Sequence, residues 1–285
     1  MNQPEISFEL FPPKRPEGAP KILDVARELA ALEPGFISVT YGAGGSSRER
    51  TLGVAAALAG EAPTAGHITC VCASRAEIDQ VLKEYWSSGV HRIVALRGDP
   101  VEGIGARYEP HENGYAYAAD LVAGAKRVAD FDISVGCYPE THPEARGLLD
   151  ELENLKRKFD AGADRALTQF FFEPDVFLRY RDAAADFGIS KPITPGIMLQ
   201  SNFNGLQKIA RLCGAFTPLK VMQAYEACGD NAEARDRATV EIATSICARL
   251  ASEGVEAFHF YVMNRAPLAI EVCRNLGVGK DRRAA

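Results

Sequence analysis

Two carboxylates stand where a protein could use them for proton transfer. Asp99 follows the run Arg92-Ile93-Val94-Ala95-Leu96-Arg97-Gly98 and precedes Pro100. Ile93 to Leu96 is a short apolar run of the kind found in a strand buried on both faces. Gly98 permits an unusual backbone angle and Pro100 stops the strand. Asp99 is thereby delivered to the carboxyl end of a buried strand, where α/β enzymes place their chemistry. Capping the next segment is the plainer role for such an aspartate. Glu9 lies between Phe8 and Leu10 in strand-like Glu5 to Phe11. If Phe8 and Leu10 pack outward, alternation turns Glu9 into the interior, where a carboxyl suits a general acid. In a half-buried strand Glu9 would simply face solvent.

Other polar groups stand at strand ends or on one helix. Thr40 and Tyr41, Thr69 and Cys70, Tyr138 to Pro143 with His142, Gln169, and Asn264-Arg265 each follow an apolar run. Two carboxylates, a histidine, an amide and aromatics suit an organic ligand that needs proton transfer. Gly42-Ala43-Gly44-Gly45 fits neither phosphate-loop pattern and reads as a tight turn, with Ser46 or Ser47 capping a helix. Phe170-Phe171-Phe172 reads as core. In the segment from Leu148 to Asp160, Leu148, Leu152, Leu155 and Phe159 form an apolar stripe, and Glu151, Asn154 and Lys158 share the face beside it. Arg157 lies further round. That polar edge is either solvated or grips a phosphate or ribose.

The elements that must position these groups alternate. Strands are expected at 5–11, 36–41, 67–72, up to Asp99, 132–138, 165–172, 192–198 (weaker) and 257–261. Helices are expected at 19–32, up to 59, 75–87, 115–128, 148–160, 174–187, 203–213, 232–252 and 267–276. Eight strand-helix units predict an α/β fold, a (β/α)8 barrel forming a single domain over 1–285, in preference to an open doubly wound sheet.

Composition narrows the class. The chain has 285 residues, 47% hydrophobic and 25% charged, as a globular enzyme would. A net charge of -6 opposes nucleic-acid binding. No apolar run is long enough to span a bilayer, and the first residues lack a signal-peptide pattern, so a cytoplasmic protein with reduced thiols is expected. The seven cysteines and five histidines show no metal-ligand spacing, and no metal is expected.

In order along the chain, these blocks resemble methylenetetrahydrofolate reductase of the bacterial single-domain type. The resemblance rests on Ser7-Phe8-Glu9-Leu10-Phe11-Pro12-Pro13, Ser38 to Ala43, His67-Ile68-Thr69-Cys70, Ile93 to Asp99 and Asp130 to Val135. It continues through Tyr138 to Ala145, Asn154 to Lys158, Thr168 to Phe172, His259-Phe260-Tyr261 and Asn264-Arg265. It implies a (β/α)8 barrel that binds FAD, takes hydride from NADH or NADPH and passes it to 5,10-methylenetetrahydrofolate in a ping-pong sequence.

The resemblance also implies roles. Glu9 matches the general acid that assists opening of the folate's five-membered ring to an iminium cation. Asp99 matches the aspartate beside the flavin's pyrimidine edge, where its charge disfavours an anionic reduced flavin and stabilises that cation. Gln169 and Arg265 match substrate contacts. Thr40, Tyr41, His67, Arg97, Gly98 and Asp99 fall at FAD-contacting positions. So do Ala118, Tyr138, His142, Asn154, Arg157 and Lys158. A homo-oligomer is expected. Gly205 stands where relatives have a substrate-touching glutamine, Ile209 where a phenylalanine stacks, and Met198-Leu199-Gln200 replaces Leu-Pro-Val. Loss of a stacking aromatic forfeits on the order of 1 kcal/mol. The rival readings are a flavin-free pterin-binding barrel that transfers methyl groups and a non-catalytic folate- or FAD-binding protein.

Overall fold

The computed structural model describes residues 3–41, 48–100 and 106–279. The glycine turn at 42–47 and part of the loop after Asp99 lie outside the described residues.

One parallel sheet carries the fold. Its strands are β1 (Glu5–Leu10), β2 (Phe36–Val39), β3 (Thr64–Thr69), β4 (Arg92–Leu96), β5 (Asp132–Cys137), β6 (Arg165–Thr168), β7 (Ile193–Thr194), β8 (Gly196–Met198) and β9 (Ala257–Tyr261). The order β7-β6-β5-β4-β3-β2-β1-β9-β8 runs almost wholly in sequence. β7 pairs with β6 and β8 with β9, so the expected seventh strand closes the barrel in two pieces. The break falls at Pro195, which has no N–H to give the ladder; its carbonyl accepts from His259 N at 3.0 Å. Gly196 sits so close to the sixth strand that a Cβ there would lie 2.2 Å from the Thr168 carbonyl.

The helices are α1 (Ala19–Ala30), α2 (Arg48–Ala59), α3 (Arg75–Ser87), α4 (Ala118–Val128), α5 (Leu148–Asp160), α6 (Pro174–Asp186), α7 (Phe203–Cys213), α8 (Leu219–Ala227), α9 (Ala232–Ser252) and α10 (Ala266–Asn275). The (β/α)8 expectation holds. The third strand starts three residues before the expected His67, because Thr64-Ala65-Gly66 is small and semipolar and gives no hydrophobic signal. The sixth ends at Thr168 rather than Phe172. The short α8 went unread: nine residues bury only Val221 and Tyr225, and no side chain caps it.

Side chains sort by the pleat. Phe8 and Leu10, both fully buried, join Ala26 and Leu29 of α1 in the main core between sheet and helices. The opposite faces fill the barrel itself, with Phe36, Ala65, Val94 and Leu167 as its plug. Phe170 and Phe172 leave the sheet to pack with Leu206 of α7 and Val221 and Tyr225 of α8 in a second cluster, while Phe171 stays in the main core. The triple phenylalanine is core, as expected.

Candidate active site

At the carboxyl ends of the strands, Glu9 points into the barrel, as the outward packing of Phe8 and Leu10 requires. Its side chain is 12% exposed. Oε2 lies 3.4 Å from Nε2 of His67 on β3 and 3.8 Å from Nε2 of His259 on β9. Ser7, two residues before Glu9 and on the same face, places Oγ 2.8 Å from Nδ1 of His259. Among the described residues neither Nε2 has a hydrogen-bond partner. Burial pushes the His67 imidazole down to about 4, so this ring is neutral near pH 7. The Glu9 carboxyl thus faces, in His67, an uncharged base rather than a cation.

Gly98 sits at φ +83°, and a Cβ on it would lie 2.6 Å from Val71 Cγ1 and 2.9 Å from Thr69 Cβ. Only glycine fits this turn, as the sequence implied. Asp99 follows it, half-buried, and accepts no hydrogen bond from the described residues. Arg97 is fastened beside it: Nη2 donates to Glu144 Oε1 at 2.9 Å, and the guanidinium lies 4.5 Å from the Tyr108 ring centroid. That hydrogen bond holds the Glu144 carboxyl below its ordinary range. His142 stands edge-on to Tyr138 with centroids 4.6 Å apart. Its Nδ1 accepts from the Glu144 amide at 3.1 Å, which leaves the proton of the neutral ring on Nε2. Burial lowers the His142 pKa and raises that of the Tyr138 phenol.

The polar face of α5 is not solvated. Glu151 and Lys158 are both buried. Glu151 Oε1 accepts from the His142 amide at 2.8 Å, and Lys158 Nζ donates to the Gly136 carbonyl at 2.8 Å. Burial pushes the Lys158 pKa down and the Glu151 pKa up. Asn154 is half-buried, whereas Arg157 is exposed at the outer edge. Ala118 opens α4, whose first amides point from a helix N-terminus and favour an anion.

Across the mouth, Gln169 Oε1 accepts from the Phe170 amide at 3.0 Å, and no described residue uses its amide nitrogen. Arg265 is clamped in two-pronged fashion by Asp236 of α9, at 2.9 and 2.7 Å, and donates to Ser201 Oγ at 2.6 Å. Thr40 is buried at the end of β2, and its carbonyl accepts from Thr51. The Tyr41 hydroxyl accepts from Arg48 Nε at 2.8 Å. Ile209 packs on the second core rather than standing free, and a side chain at Gly205 would meet nothing nearer than 3.5 Å.

Tyr261 links the two halves. Its hydroxyl donates to the Thr168 carbonyl at 2.7 Å. Burial pushes its phenol far up. Sequence reasoning missed Ser7, His259, Tyr261, Glu144 and Asp236 as site residues. Glu144 was within reach, since Thr141-His142-Pro143-Glu144 is one strand-end loop. Asp236, inside a long helix, carried no signal.

The chemistry available is proton delivery from a recessed carboxyl, with a second carboxyl, Asp99, at the end of β4. Thr69 Oγ1 and His67 Nε2 are buried without partners among the described residues, and no described residue donates to Asp99. Such groups suit a heterocycle with donors and acceptors on one edge. Lys158, Arg97 and the α4 N-terminus suit a diphosphate. No cluster of three metal-ligating side chains occurs among the described residues, and none of their helices is long and apolar enough to cross a membrane.

A profile of the methylenetetrahydrofolate reductase family matches residues 1–277. The chain is 42% identical to 5,10-methylenetetrahydrofolate reductase of Escherichia coli (strain K12), covering 98% of this chain and 92% of that one. It is 36% identical to Methylenetetrahydrofolate reductase (NADH) 1 of Arabidopsis thaliana, over 98% of this chain and 49% of that one. Among solved structures, a Clostridium thermocellum protein described as binding two copies of 5-methyl-5,6,7,8-tetrahydrofolic acid superposes with a TM-score of 0.63. It is 11% identical and covers 98% of this chain and 95% of its own. That likeness is one of fold.

Proposed function

The chain belongs to the methylenetetrahydrofolate reductase family, and on that premise we propose that it reduces 5,10-methylenetetrahydrofolate to 5-methyltetrahydrofolate, with NADH or NADPH as reductant and FAD as carrier. The observation that carries the reading is Glu9, an acid recessed in the barrel mouth against imidazoles, one of them held neutral by burial.

The donor set described above fits FAD. Thr40, Tyr41, His67, Gly98, Asp99 and Tyr138 would border its ring. Arg97, His142, Lys158 and the Ala118 amide would meet its diphosphate, and Asn154 and Arg157 the nucleoside end. When bound, the flavin supplies a hydride acceptor and donor common to both substrates.

The chain's own residues do the rest. Glu9 donates a proton to a nitrogen of the substrate's five-membered ring as that ring opens, leaving a cation on the reacting carbon. Asp99 stabilises the cation by its charge. Gln169, whose amide nitrogen no described residue uses, orients the pterin, and Arg265, fixed by Asp236, receives an anionic group of the substrate.

The test is the visible spectrum of the purified protein with added FAD under anaerobic conditions. Flavin bands should bleach with NADH or NADPH and return with methylenetetrahydrofolate. A protein that takes up no flavin would overturn the reading and leave flavin-free methyl transfer in its place.

A further inference from the structure

Beneath Glu9 lies a buried imidazole that the chemistry above leaves unused. His259 is fully buried, stacked on Phe36 at 5.7 Å and edge-on to Tyr261 at 5.2 Å. Its Nδ1 meets Ser7 Oγ at 2.8 Å, and its Nε2 faces Glu9 Oε2 at 3.8 Å with no hydrogen-bond partner among the described residues. A ring nitrogen orphaned in this way costs free energy unless a group comes to it.

The Ser7 hydroxyl has one proton. The Phe258 carbonyl, which only accepts, lies 3.4 Å from Oγ. With the proton aimed there, Oγ accepts the Nδ1–H of His259, and Nε2 is left with a lone pair turned toward Glu9. A lone pair attracts the O–H of a protonated carboxyl and repels a carboxylate.

We infer that His259, its tautomer fixed by Ser7, is a positioning residue that holds Glu9 protonated below the substrate, an inference that rests on Glu9 being the proton donor. Among the described residues neither Nε2 makes a hydrogen bond, so a small rotation of the carboxyl toward either imidazole makes the resting contact. Rotation away releases the acid to the substrate. The proton moves from Glu9 Oε to a substrate nitrogen and is replaced from solvent, and no bond of His259 is made or broken.

The surroundings support this polarity. The groups facing His259 are Ser7 and Glu9 on β1, Phe36 and Ser38 on β2, His67 on β3, Gly196 on β8 and Tyr261 on β9. None is a lysine or arginine. The cations lower in the barrel, Arg92 and Arg165, are held by Asp132. His67 is neutral above about pH 4, so it supplies no charge to favour a carboxylate.

The experiment is an isotope-edited infrared titration of the Glu9 carboxyl in the wild type, Ser7→Ala and His259→Phe, with Glu9→Gln as the blank. It is run beside the pH profiles of kcat and KM for folate reduction. Both variants should release the Glu9 proton about one pH unit lower, a tenfold change of the size one neutral hydrogen bond carries. The alkaline limb of kcat should move with it while KM stays close to its original value. Titration curves that coincide with the wild type, or that shift upward, overturn the inference. Ser7→Ala removes a single oxygen and decides the matter if His259→Phe does not fold. The infrared signal needs neither flavin nor folate, so it still reads His259 if the proposed reaction fails. Turnover with an unmoved Glu9 titration sinks this inference alone.

Discussion

Asp132 near the amino-terminal end of the barrel and Glu9 at the carboxyl-terminal end are both carboxylates on interior strand faces, and their surroundings are opposite. Asp132 is gripped by two guanidiniums: Arg92 Nε at 3.3 Å and Arg165 Nη2 at 3.0 Å. Arg92 also donates to the Gly35 carbonyl, and Arg165 to Ser134. Among the described residues, Glu9, more deeply buried, is paired with imidazoles, one of them held neutral by burial, and the buried atoms left without partners include His67 Nε2, His259 Nε2 and Thr69 Oγ1. Satisfied polar groups stabilise a fold, whereas unsatisfied ones keep a position for something that arrives later. The floor therefore holds the barrel, and the mouth is where the molecule forgoes stability for chemistry.

The largest effect that could break this contrast is at Glu9. Glu9→Gln should lower folate reduction by about 10²-fold or more, the usual contribution of a positioned acid, while nicotinamide still bleaches the flavin. Its urea midpoint should stay at or above that of the wild type. Normal turnover would remove Glu9 from the reaction.

Next is the acid limb of stability. The folded His67 pKa of about 4 lies below its ordinary 6.5. Between those values the unfolded chain binds the extra proton, so stability is full above pH 6.5 and falls as the pH drops through 4. The loss reaches about 3 kcal/mol. His67→Gln should flatten that slope in urea titrations at several pH values, and an unchanged slope would assign it elsewhere.

A smaller effect comes from the floor. Asp132→Ala leaves two facing guanidiniums unpaired, but the site is about a quarter exposed, so the cost should be about 2 kcal/mol rather than that of a wholly buried pair. Chemical denaturation would measure it, and per-site kcat should hold in the folded protein. Loss of activity without loss of stability would reverse the contrast between the two ends. Smallest is Lys158→Met, which should weaken FAD about tenfold, read by fluorescence as the cofactor dissociates. Unchanged affinity would reduce Lys158 to a strut for the Gly136 carbonyl.

Much of the barrel was legible along the chain because a strand or helix declares itself through near neighbours. α3, α5, α7 and α9 run between the residues expected of them. Pro195 shows where that reading stops. A proline inside a weak strand signals trouble, but that the two halves pair with different neighbours and close a ring follows only from strand order. The departures at 205 and 209 divide in the same way. The letters reveal a missing side chain, and packing reveals that Ile209 serves the second core while a Cβ at Gly205 would make ordinary contact with Asn202 and Gln200.

By itself the sequence determined the alternation of strands and helices, the glycine that presents Asp99, and the family. These depend on the two-residue period of a strand and on the backbone freedom of single residues. The sequence left Glu9 either inside the barrel or facing solvent, and the packing of Phe8 and Leu10 turned it inward. The tertiary structure decided the partners: Ser7 with His259, 252 residues away, Arg265 with Asp236, Lys158 with the Gly136 carbonyl, and Asp132 between two arginines. Closing the barrel sets a register between strands distant in the chain, and no local periodicity encodes which side chains then share a layer.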